Sequence, residues 1–224
     1  MNMLKHVKGS LIVSCQALSD EPLHSSYIMG RMAVAAEVGG AKGIRAQGVD
    51  DIIEIKKVSS LPVIGIIKRQ YKDSDIYITP TKKEVLELLD TGCEMIALDA
   101  TKRKRPNNES IKELVEVIHQ HNILAMADIS TYEEALEAQD IGFDCVSTTL
   151  CGYTPYSTNL EGPNFPFIKQ LVETLKIPII AEGKINSPED LKQVFDLQVH
   201  SAVVGGAITR PQQITARFVN VLSK

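Results

Sequence analysis

The chain has 224 residues, 44% hydrophobic and 23% charged, a composition ordinary for a soluble protein with one sizeable core. Its net charge of −4 and isoelectric point near 5.8 argue against a nucleic-acid-binding protein, which presents a basic face. No apolar run approaches the ~18 residues a membrane span requires, and Ser14 and Gln16 break the stretch after Leu11–Val13 that a signal peptide would need.

Along the chain, short apolar runs bounded by Gly, Pro or polar residues predict strands at Leu11–Gln16, Lys42–Ala46, Val63–Lys68 and Met95–Thr101, and again at Leu124–Ile129, Cys145–Leu150, Ile179–Gly183 and Ala202–Gly206. The intervals read as helices. Thr81 with Glu84 and Thr131 with Glu134 have capping-box spacing, and Ser187-Pro188-Glu189-Asp190 supplies an N-cap, a first-turn proline and acids. Gly92 and Gly142 fall where helices should stop. Strand alternating with helix predicts a parallel sheet covered by helices. Eight such units predict a (β/α)8 TIM barrel, one domain over residues 1–224, with an open doubly wound sheet as the alternative. Cys15, Cys93, Cys145 and Cys151 form no C-x-x-C pair, so they read as buried thiols of a reducing compartment, the cytoplasm.

Side chains alternate along a strand, and barrel active sites lie at the C-terminal strand ends. Ile12, Ser14 and Gln16 share one face, as do Gly43 and Arg45, and Ile64, Ile66 and Lys68. Ala97 pairs in this way with Asp99, Met126 with Asp128, and Ile180 with Glu182. Apolar residues low and polar ones high on so many strands point to a functional rim, although any one of them alone would pass as a solvated strand end. Lys68 and Glu182 stand out because the third and seventh strands face each other across an eight-stranded ring. For Asp99, a site role and a structural hydrogen bond remain equally open.

Gly205-Gly206 and Arg210 follow the eighth strand, and Gly183 closes the seventh. Loops in these places commonly hold a phosphate through bare backbone N–H groups and a helix start. The basic run Lys102-Arg103-Lys104-Arg105 belongs to another rim loop, either merely solvated or attracting an anion. The long connection Gly152–Asn164, with Tyr153 and Tyr156, reads as a lid or as an inert surface loop. His119 and His121 lie two apart and would not face one ion, and no histidine ends a strand, so no metal is expected.

At these positions the chain closely resembles the N-acetylmannosamine-6-phosphate 2-epimerases. The resemblance runs through Gly39-Gly40-Ala41-Lys42-Gly43-Ile44-Arg45, Ile67-Lys68-Arg69, Ala97-Leu98-Asp99-Ala100-Thr101 and Met126-Ala127-Asp128-Ile129-Ser130-Thr131. It continues in Thr148-Thr149-Leu150-Cys151-Gly152-Tyr153, Ile180-Ala181-Glu182-Gly183 and Val204-Gly205-Gly206-Ala207-Ile208-Thr209-Arg210-Pro211. It implies reversible conversion of N-acetylmannosamine 6-phosphate to N-acetylglucosamine 6-phosphate, a step in sialic acid breakdown. By the same resemblance Lys68 and Glu182 are the acid/base pair. Gln16, Arg45, Asp128, Tyr153, Gly183, Gly205, Gly206 and Arg210 then surround the sugar phosphate.

The chemistry requires two acid/base groups flanking C2 of an opened sugar, and no nicotinamide, flavin or metal. Lys68 can accept a proton only if burial or Arg45 lowers its pKa, and Arg45 is also placed to stabilise an enolate oxygen. Two rivals remain: a Schiff-base lyase using Lys68, and a sugar-phosphate-binding regulator without turnover. A small-molecule substrate is expected, with no nucleic-acid or membrane partner. Phe218, Val219 and Leu222 leave room for a homo-oligomer.

Overall fold

Apolar and β-branched runs that are buried on both faces pair in parallel here, and eight of them close on themselves. A computed structural model describes residues 2–222. After the helix α1 (Met3–Val7) come β1 (Leu11–Cys15), α2 (Ser26–Val38), β2 (Gly43–Gln47), α3 (Val49–Val58), β3 (Val63–Ile66), α4 (Lys82–Leu89) and β4 (Met95–Asp99). The second half contains α5 (Ile111–Gln120), β5 (Leu124–Asp128), α6 (Tyr132–Ile141), β6 (Cys145–Ser147), α7 (Phe165–Thr174) and β7 (Ile179–Glu182). It ends with α8 (Pro188–Asp196), β8 (Ser201–Val204), α9 (Gly206–Thr209) and α10 (Pro211–Leu222). The strands follow chain order around the ring, and β1 closes it against β8 with Ile12 opposite Val203. The barrel is thus closed, and the open sheet is excluded.

Strand alternation sorts the core into two shells. Ile12, Ile64, Met95, Met126, Ile180 and Val203 fill the interior, and Met3 and Val7 of α1 plug its lower end. Val13, Ile44, Val63, Ile96 and Ala125 point outward against Met29, Ile52, Leu88 and Leu114 of the surrounding helices. The helix starts are those the capping residues predict. Thr81, Thr131 and Ser187 each accept from the first turn while Glu84, Glu134 and Asp190 reach back. Gly142 ends α6 at φ 104°, a left-handed turn that a Cβ would strain.

Several strands stop earlier than their apolar runs suggest. β3 ends at Ile66. Lys68 instead forms an antiparallel bridge with Ile78, which returns over the rim. Thr148–Leu150 is a 3-10 turn rather than strand, and Asp99 is the last residue of β4. At each point the rim backbone still finds partners, as where Asp99 N donates to Ile78 O at 3.1 Å and Leu150 N to Ile129 O at 3.2 Å. Cys15, Cys93 and Cys145 are buried, Cys151 is half-buried, and all four are free thiols. α10 buries none of its described residues, leaving Phe218, Val221 and Leu222 mostly exposed.

Candidate active site

At the C-terminal mouth of the barrel a pocket of about 360 Å³ opens. Gln16, Arg45, Lys68, Tyr153, Glu182 and Gly183 line it, and Gly205, Gly206 and Arg210 close the β8 side. Asp128 lies below that surface, fully buried. Asp99 is not in the pocket wall. Its carboxylate accepts from Thr101 Oγ1 at 2.7 Å and from Arg103 Nη2, so its place is structural.

The floor is a charge network. Arg45, 1% exposed on β2, forks onto Asp128 of β5, with Nη1 to Oδ1 at 3.0 Å and Nη2 to Oδ2 at 2.6 Å. Nη1 also reaches Oε2 of Glu182 at 2.9 Å. Burial lowers the Arg45 pKa, but the Asp128 and Glu182 charges outweigh it and raise it overall. Both Asp128 oxygens accept from Arg45, with Thr149 Oγ1 also donating to Oδ1 at 2.7 Å, and the Arg45 guanidinium is largely occupied in holding two carboxylates. Only its Nε, together with Oε1 of Gln16, lacks a partner among the buried polar atoms described.

Glu182, at the tip of β7, is 14% exposed. Arg45, Thr149 Oγ1 at 3.0 Å and Ser147 Oγ at 3.4 Å all bond its Oε2, which leaves Oε1 for a ligand. Burial, reinforced by the Asp128 charge, raises its pKa above the usual carboxylate range, against the pull of Arg45. Its position follows from Gly183, whose φ of 105° turns the chain sharply just after the strand. Lys68 is held across the ring by the bridge to Ile78. Burial, helped by the positive charges of Arg45 and Arg210, pushes its pKa down to about 8. At neutral pH roughly a tenth of such an amine is unprotonated, against well under a thousandth for an ordinary lysine. The site thus pairs an amine of lowered pKa with a carboxyl of raised pKa.

At the β8 end, the N–H groups of Gly205 and Gly206 enter none of the backbone hydrogen bonds among the described residues. A side chain at Gly206 would run into the Gln213 amide. Arg210 is turned onto Glu21, donating Nη2 to Oε2 at 3.1 Å and Nε to Oε1. The loop after Gly152 is tied down. The Lys184 ammonium bonds Asn159 and Leu160 and sits 5.4 Å from the Tyr153 ring centroid, and Tyr156 donates to Glu134 at 2.8 Å.

The two arginines of the basic run are bonded internally, while Lys102 and Lys104 are exposed. Arg103 bonds Asp99, while Arg105, 7% exposed, donates to the carbonyls of Pro80 and Asp99. Ser147 and Thr149 were within reach of sequence reading, since they share inward parity with Cys145. Tyr77, Lys184 and Gln213 also line the pocket. Tyr77 and Lys184 come from loops, which carry no such periodicity, and Gln213 from the first turn of α10. Among the described residues no group of His, Cys, Asp and Glu is arranged to hold a metal ion, and no helix is long and apolar enough to cross a membrane.

A closed barrel with a lysine of lowered pKa and a glutamate of raised pKa at its mouth is the frame of an acid/base enzyme. A family profile described as "Putative N-acetylmannosamine-6-phosphate epimerase" matches residues 29–224. A protein from Clostridioides difficile (strain 630), described as the corresponding 2-epimerase, is 70% identical over 220 residues, 98% of this chain and 99% of its own length. One of the same description from Oceanobacillus iheyensis is 56% identical, over 97% of this chain and all of its own. The solved N-acetylmannosamine-6-phosphate 2-epimerase of Clostridium perfringens superposes with a TM-score of 0.98 at 68% identity, covering 99% of this chain and 96% of that one. The thiamine phosphate pyrophosphorylase of Pyrococcus furiosus, at 20% identity and TM-score 0.62, shares the fold alone. The chain belongs to the N-acetylmannosamine-6-phosphate epimerase family.

Proposed function

We propose that this chain interconverts N-acetylmannosamine 6-phosphate and N-acetylglucosamine 6-phosphate, in the breakdown of sialic acid, with Lys68 and Glu182 as its acid/base pair. The observation that carries the residue assignment is the opposed placement of these two groups at one pocket, with pKa values displaced toward each other. In the opened sugar the C1 carbonyl acidifies the hydrogen on C2. One group removes that proton, the electron pair passes into an enolate, and the other group returns a proton to the opposite face. Arg45 holds Asp128 and Glu182 in place, and its unpartnered Nε and the Gln16 amide face the demand for polar contacts with the sugar. Gly183, Gly205, Gly206 and Arg210 take the phosphate and Tyr153 covers the sugar.

A cytoplasmic, self-associating protein without nucleic-acid partners completes the reading. The exposed apolar residues of α10 support self-association, which sedimentation would measure. Proton NMR of N-acetylmannosamine 6-phosphate incubated with the protein tests the reaction, with the C2 epimer expected. In D2O the product should carry solvent deuterium at C2 while early recovered substrate carries little. Substrate labelled ahead of product would assign both faces to a single base, and no epimer at all would sink the reading. Borohydride should trap no adduct, whereas a covalent one would favour the lyase.

A further inference from the structure

Glu21 lies outside the pocket wall, in the loop between β1 and α2, yet it is bound to a residue of that wall 189 positions away. The bond is a two-point fork, in which Arg210 Nε donates to Oε1 and Nη2 to Oε2. Both side chains are mostly covered, with 24% of Arg210 and 17% of Glu21 exposed. Glu21 is itself fixed, since its Oε2 accepts from Leu18 N at 2.8 Å and its backbone N–H and carbonyl bond Leu18 and His24. The hydrogen bond from Arg210 is the main reason its carboxyl pKa is lowered.

A guanidinium has two edges suited to oxyanions: the side-on pair Nε and Nη2, and the end-on pair of both terminal nitrogens. Glu21 takes the side-on pair. Nη1 and the second hydrogen of Nη2 remain, which is the end-on pair a phosphate accepts bidentately. We propose that Glu21 is a positioning residue for the substrate's phosphate. It locks Arg210 into one rotamer and presents the end-on edge, so that the arginine loses little conformational freedom on binding. The charge of Glu21 works against this by repelling the dianion. However, that repulsion is screened at a partly exposed pair that is already internally neutral, so the ordering effect prevails. The clasp also joins the loop after β1 to the turn after β8, where Thr209 Oγ1 donates to Ser14 O at 2.8 Å, across the seam where the ring closes.

This inference rests on Arg210 being a phosphate ligand, and a double-mutant cycle separates the two ideas. The KM and kcat for N-acetylmannosamine 6-phosphate are measured for the wild type, Glu21→Ala, Arg210→Ala and the double variant. Glu21→Ala should raise KM about tenfold, the scale of one charge-assisted contact, with kcat changed much less. In the Arg210→Ala background the same change should add nothing further. Glu21→Gln, which keeps the shape of the side chain but only one acceptor, should fall between and guards against a misfolded alanine variant. An Arg210→Ala effect on KM without any Glu21 effect would overturn the positioning role and leave the anchor standing. Unchanged KM in Arg210→Ala would remove the anchor and the positioning role with it. Additive losses, or a fall in kcat with lowered thermal stability, would make Glu21 only a prop for its loop.

Discussion

Lys68 carries a charge that its surroundings oppose, and this has consequences for both activity and stability. Its pKa is about 8 in the folded protein against 10.5 for a free side chain. Below about pH 8 both folded and unfolded chains hold the proton, and the folded state bears the full penalty of a confined cation. Between the two values only the unfolded chain binds it, so stability recovers as pH rises, and the penalty vanishes above the unfolded value. Lys68→Met should therefore stabilise the protein at pH 7 by on the order of 2 kcal/mol, a gain that fades toward pH 10.5 in urea melts. If the neutral amine takes the C2 proton, kcat/KM should climb with pH and level off above about 8. Lys68→Ala and Glu182→Gln should each lower kcat by ~10²-fold or more without unfolding the barrel, and near-normal turnover would remove that residue from the chemistry. Asp128→Ala is the opposite case. It leaves the buried Arg45 guanidinium with Glu182 as its remaining carboxylate partner and should cost on the order of 3 kcal/mol by chemical denaturation. Strand parity alone puts Gln16, Arg45, Lys68, Asp128 and Glu182 on the inward face, where they are found. Asp99 obeys the same parity, and what sets it apart is Arg103, a partner supplied by a loop whose path no local pattern announces.

Among the elements, α6 ties several loops together. Glu134, in its first turn and 1% exposed, accepts from the N–H groups of Ser130, Thr131 and Lys102, from Ser130 Oγ and from Tyr156 OH. A capping acid thus also anchors the basic loop and the connection that carries Tyr153. Glu134→Ala should cost on the order of 3 kcal/mol, because several buried donors lose their acceptor together. It should also raise KM as the Tyr153 loop loosens, and thermal melts alongside kinetics would show both. The capping boxes were legible because they are local, spanning one helical turn. The strand ends were less so, since an apolar run continues past the last ladder bond wherever a rim residue still packs inward, as Leu150 does over the core. The Glu21–Arg210 clasp was not legible at all, because it joins loops that only ring closure brings together.

For the whole molecule, chelators should leave turnover intact, since the described residues include no cluster able to hold an ion. A loss restored by one divalent metal would show that the rim chemistry is misassigned. The barrel repeat itself was readable from eight alternations of strand and helix, a pattern that needs no knowledge of any contact. Closure has a further consequence, in time rather than in space. The seam pairs Leu11 with Ala202, His200 bonds the Leu4 carbonyl, and Ser201 bonds that of Ser10. Every one of these contacts spans nearly the full described chain, so loop-closure entropy is lost before they form, and folding should be slow for a protein of this size. During synthesis the first strand waits for the last, with one edge of β1 and one of the growing sheet unpaired, the state in which strands recruit foreign partners. A chain cut just before β8 should accordingly emerge insoluble, even though it keeps the seven earlier strands and both members of the acid/base pair.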